Sequence, residues 1–141
     1  MVTTARESKD VVRRTFDAAR NRDRDAFIEL HADDAVLHSG DETIQGGEAI
    51  AEQQWAFYES FPDVSPTPDT LLAEGDLVAV RWIWTGTHER VFEGIEPTGT
   101  EVEVEEMGLF RVEDGEVVEV WLLADTFGLL QQLGVVELPG E

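Results

Sequence analysis

The chain has 141 residues, 42% of them hydrophobic, and 31 acidic against 10 basic side chains give it a formal net charge of −21. That length and apolar content suit one ordinary domain with its own core. So large an acid excess repels phosphate backbones and anionic membranes, so neither is an expected partner, and the absence of cysteine excludes disulfides and thiolate metal sites.

Nine of the ten basic residues are arginine, with Lys9 the single lysine. Acid excess with lysine depletion reads as adaptation to a salt-filled cytoplasm, because at molar salt the Debye length shrinks to about 3 Å and self-repulsion fades. No apolar run reaches the length of a membrane span. The segment Met1 to Asp10 lacks the apolar stretch of a signal peptide, so a cytoplasmic location is expected.

Along the chain, Val12, Phe16 and Ala19 at helical spacing predict a helix over Ala5 to Asn21. Asp23 or Asp25 then caps a short helix holding Phe27 and Leu30, with His31 near its end as a surface residue. Ala35 to His38 is a brief extended piece, and a polar loop leads to Gly46-Gly47. Helical period returns over Glu48 to Phe61, with Ala51, Trp55 and Tyr58 on one stripe and Pro62 closing it.

The second half is rich in β-branched and aromatic residues. It predicts strands over Thr70 to Ala73, Leu77 to Glu89, Glu101 to Val112 and Val117 to Ala124. Glycine-bearing turns follow Glu74 and Glu113, and a longer loop spans Arg90 to Thr100. Phe127 to Leu133 forms a last short helix, stopped by Gly134. Helices first and an antiparallel meander afterwards make one α+β domain over residues 1–141.

Alternation places Val78, Val80, Trp82 and Trp84 on one strand face, either as core or as an aromatic wall for a flat ligand. Glu119, Trp121, Leu123 and Asp125 share another face. A carboxylate ending that apolar strand suits acid–base work, because apolar surroundings raise its pKa. Asp125 also directly precedes a helix, where aspartate caps the free N–H groups. His38 and His88 end strands, each as a hydrogen-bonded edge residue or a polar pocket group. No metal-ligand spacing, phosphate loop, dinucleotide fingerprint or serine elbow occurs. The run Glu101, Glu103, Glu105 and Glu106 reads as a solvated face.

The order of these pieces resembles the SnoaL-like polyketide cyclase family of the NTF2-like superfamily. The resemblance rests on Phe61-Pro62-Asp63, Val78 to Trp82, Thr85-Gly86-Thr87-His88 and Phe92 to Gly99. It continues through Phe110 to Gly115, Val118-Glu119-Val120-Trp121, Asp125 and Gly128 to Gly134. It implies a curved antiparallel sheet wrapped around the N-terminal helices, a cone with one internal pocket, and pairing of the outer sheet faces as a homodimer. It also implies an intramolecular aldol cyclisation, or related isomerase or lyase chemistry, on a small hydrophobic carbonyl compound. Asp125 would be the acid/base, with His38 and His88 as polar partners and neither metal nor cofactor. Trp55, Tyr58, Trp82, Trp84, Phe92, Met107 and Trp121 would form the pocket wall. The aspartate base of ketosteroid isomerase, a more distant relative, would fall near Ser39. A binding domain that uses the same cavity without catalysis is the alternative.

Overall fold

The computed structural model describes residues 2–137 and 139. Helix α1 (Ala5–Arg20) begins at Thr4, whose hydroxyl accepts the Glu7 backbone N–H at 3.1 Å. It buries Val11, Val12, Phe16 and Ala19, so the 3.6-residue stripe is its core face. Helix α2 (Arg24–Glu29) is capped by Asp23, which accepts from Ala26 N–H. Helix α3 (Gly47–Ser60) follows a short hairpin, β1 (His31–Ser39) with β2 (Glu42–Gln45). The meander is β3 (Ser65–Glu74), β4 (Leu77–Thr87), β5 (Glu101–Glu113) and β6 (Glu116–Ala124), and α4 (Thr126–Gln132) closes the chain.

Six strands make one open, curved sheet in the order β2-β1-β6-β5-β4-β3. The expected antiparallel meander runs unbroken from β3 to β6, and the β1–β2 hairpin extends the sheet beyond it, because β6 pairs antiparallel with β5 and parallel with β1. The hairpin partner β2 was not foreseen; it has four residues and a mostly exposed pattern, too little for an alternation signal. β3 reaches back to Ser65 and takes in Pro66 and Pro68, with a register shift after Pro68. Proline fits there because β3 is an edge strand with no ladder to serve on its outer side.

The concave face of the sheet carries Val78, Val80, Trp82 and Trp84 from β4 and Val102, Val104, Phe110 and Val112 from β5. These pack against α1, and Phe16 meets the Trp82 ring edge-on at 5.2 Å. Among the described residues no helix is long and apolar enough to cross a membrane. Between the sheet and the helices the packing is incomplete. A cavity remains.

Candidate functional site

The cavity holds about 580 Å³ and takes its wall from all four helices and all six strands, a size that suits a small organic ligand. Aromatic residues dominate it: Phe16, Phe27, Tyr58, Trp82, Trp84 and Phe92. Among the described lining residues there is no lysine or arginine. The polar groups are fewer, and among them a carboxyl and an imidazole are withdrawn from water.

The first is Glu106. Along β5, Val102, Val104, Glu106, Gly108 and Phe110 alternate toward the concave face, so Glu106 points inward while Glu105 points out. Its Oε2 accepts the Trp82 indole N–H at 2.9 Å. Burial drives the carboxyl pKa from 4.5 up to about 7, although hydrogen bonds from Trp82 and Trp84 favour the charged form. The expectation of a solvated acidic run thus fails at one of its four members. The strand alternation already carried that signal: Glu106 stands in register with valine and phenylalanine.

The second is His31, expected at the surface and found 4% exposed. It opens β1 directly after Leu30, the C-cap of α2, and stands four residues on from the buried Phe27, the spacing that would have placed it inside. Nδ1 lies 2.7 Å from the Phe27 carbonyl oxygen. A carbonyl only accepts, so Nδ1 carries the proton. Burial lowers the pKa of the ring below 6.5, outweighing that hydrogen bond, and keeps the imidazole neutral. Close approach to α3 holds it: a side chain at Gly47 would come within 3.2 Å of the His31 Cβ.

Of the residues singled out from the sequence, Tyr58, Trp82, Trp84 and Phe92 line the cavity. The Tyr58 hydroxyl accepts from Gln54 Nε2 at 2.9 Å and keeps its own proton to donate. Trp55 stands behind them, edge-on to Phe27 and Tyr58 and outside the lining. Met107 and Trp121 sit on the convex face, because their strands point the neighbouring residues inward. Trp121 there stacks on His38 at 5.6 Å, and His38 Nε2 meets Glu119 Oε2 at 2.7 Å. His38 is therefore also outside the cavity.

Asp125 is exposed and outside the lining. Its Oδ1 accepts the Gly128 N–H at 2.9 Å, the geometry of an N-cap for α4. His88 is fully buried but does not line the cavity. Its ring stacks on Phe61 at 5.4 Å, and Nδ1 lies 3.2 Å from the Thr98 backbone N–H, which pins the loop after β4. Among the described residues no group of three or more metal-ligating side chains occurs.

The architecture has counterparts. AclR, a candidate hydroxylase from Streptomyces galilaeus, is 28% identical with a TM-score of 0.86, over 95% of this chain and 100% of that one. IdmH, a candidate polyketide cyclase from Streptomyces antibioticus, is 34% identical with a TM-score of 0.81, over 91% and 99%. A candidate SnoaL-like polyketide cyclase from Jannaschia sp. CCS1 shares the fold at 24% identity and a TM-score of 0.86, over 94% and 95%. No functionally curated protein matches the chain. The SnoaL-like polyketide cyclase model matches residues 9–133, and the chain, with its NTF2-like cone, belongs to that family.

Proposed function

We propose that this chain is an acid–base enzyme acting on a small hydrophobic carbonyl compound by aldol cyclisation of the polyketide-cyclase kind or a closely related proton shift. Glu106, rather than Asp125, is the proton carrier in this reading. The observation that carries it is a carboxyl group in an aromatic cavity with its pKa pushed up to about 7. Such a group is divided between acid and base near neutral pH, so it can take a proton from carbon and return one to oxygen. The indole N–H of Trp82 fixes one carboxyl oxygen. The Tyr58 hydroxyl, with a proton to donate, is a lining group suited to an enolate oxygen.

Asp125 lacks what the chemistry needs, because it stands outside the cavity lining and its carboxylate caps α4. The test is the closure of an aromatic β-keto ester with a tethered aldehyde, followed by NMR. Wild type should close it faster than buffer, and E106Q should lose about 10²-fold or more of that rate. Binding without any rate above buffer would leave a ligand-binding domain instead.

A homodimer joined through the convex sheet face belongs to the same proposal. Met107, Leu109 and Leu123 are 54%, 41% and 75% exposed there, which makes an apolar patch on an otherwise acidic surface. Sedimentation of L123D against wild type tests it: the variant should be monomeric where wild type is dimeric.

A further inference from the structure

His31 and Glu106 belong to one cavity but to different ends of it. In the sheet His31 is level with Val117 of β6, whereas Glu106 is level with Ala124, seven residues further along that strand. Seven residues correspond to roughly 20 Å of strand before curvature and side-chain reach shorten it. One atom of a ligand cannot meet both groups. One long molecule can.

The polarity of the His31 end is fixed. Nδ1–H is committed to the Phe27 carbonyl, so Nε2 of the neutral ring is a bare acceptor. Nε2 has no partner among the described residues and is not sealed from the surface as His88 Nε2 is, while the ring lines the cavity. Phe27 stands 4.5 Å from the imidazole and Gly47 backs its Cβ, so the ring cannot turn away easily. The other ionisable lining groups are Glu42, Tyr58, Glu93 and Glu106, and none offers an anion a cationic partner.

We propose that His31 Nε2 accepts a hydrogen bond from a hydroxyl at the far end of the ligand, so that the cavity takes an elongated, uncharged ring system with a hydroxyl at one end and a carbonyl at the other. The placement of the carbonyl rests on the Glu106 reading; the recognition of the hydroxyl does not. A methyl ether at that position leaves Nε2 buried without a donor. An ionised phenolate places a negative charge against a lone pair in an acidic cavity. Both are selected against.

The experiment uses matched probes, 2-hydroxyanthraquinone and 2-methoxyanthraquinone, at mildly acidic pH where the phenol is un-ionised. Binding is read from quenching of the cavity tryptophans. Wild type should prefer the hydroxyl compound by about 5- to 10-fold, the value of one neutral hydrogen bond. H31N keeps a donor for the Phe27 carbonyl and deletes Nε2; it should lose the preference while its circular dichroism stays unchanged. H31F, which keeps the ring stack, is the second variant and should behave alike. In E106Q the hydroxyl preference should survive, so a failure of Glu106 as proton carrier is visible separately. The proposal is overturned if wild type binds the two probes equally or neither saturably, or if H31N and H31F retain the preference. A histidine 15N spectrum with the proton on Nε2 of His31 would overturn it as well.

Discussion

Glu105 and Glu106 are neighbours on β5, yet they occupy different solvents. Glu105, on the convex face, is exposed and pairs with Arg81 at 2.9 Å across to β4. Glu106, on the concave face, looks into an aromatic cavity and bonds an indole. Two residues of one type, one peptide bond apart, are thereby given separate tasks: solubility outside and proton affinity inside. What separates them is the pleat alone. The wider faces repeat the contrast, with charge over scattered apolar groups on the convex side and rings around a few polar atoms on the concave side.

That contrast can be broken in steps, and the largest effect is expected from the solvent. Lowering salt from about 1 M to about 0.1 M lengthens the Debye length from about 3 Å to about 10 Å. Repulsion among the outer carboxylates then returns, and the melting temperature should fall by more than any single substitution below achieves. Equal melting temperatures in both salts would refute the salt-adapted reading. Glu106, shielded within the cavity, should titrate almost alike in the two.

E106Q comes next. The folded-state pKa of Glu106 lies above its unfolded value, so its contribution to stability is fully present below about pH 4.5 and is lost as the pH rises through about 7. Each pKa unit is worth about 1.4 kcal/mol, which makes the ionised form cost up to about 3 kcal/mol at about pH 8. Urea unfolding should therefore find E106Q more stable than wild type at that pH, with the gap closing toward pH 4.5. A gap that ignores pH would place the carboxyl in water.

W82F removes the donor and keeps an aromatic ring. It should raise the Glu106 titration further, because the hydrogen bond favours the carboxylate, and cost about 1–2 kcal/mol of stability. D125A should cost about 1 kcal/mol through the lost cap of α4 and leave the Glu106 titration unchanged. E105Q is expected to do least, with a melting temperature indistinguishable from wild type, as exposed ion pairs rarely contribute measurably.

Much of this molecule was legible in its residues. Helical stripes gave α1 and α3 to within a residue or two, and β4 and β5 were readable from their alternation and turns. β2 was not, because four mostly exposed residues carry no period. The parallel β1–β6 pairing joins segments 83 residues apart at His38 and Trp121, and no local pattern encodes such a choice of neighbour. For the site, the aromatic wall was half visible: Trp82, Trp84, Tyr58 and Phe92 line the cavity, while Trp121 and Met107 obey the same alternation on the opposite face. Asp125 drew attention because it ends an apolar strand, a position that suits a helix cap equally well. Glu106 was hidden among three glutamates that do face water. His31 was hidden by the acidic residues after it, although its distance from Phe27 pointed inward.

The place of β6 has a further consequence, for how the molecule comes to exist at all. This strand, made of residues 116–124, lies in the middle of the sheet between two parts built much earlier in the sequence. Until it has left the ribosome, the β1–β2 hairpin and the β3–β4–β5 meander are separate fragments, each with an unsatisfied edge. Joining them is a long-range closure and a slow one. The cavity cannot assist that assembly from the start, since two of its lining residues, His31 and Glu106, belong to different fragments and share no wall until the last strand arrives.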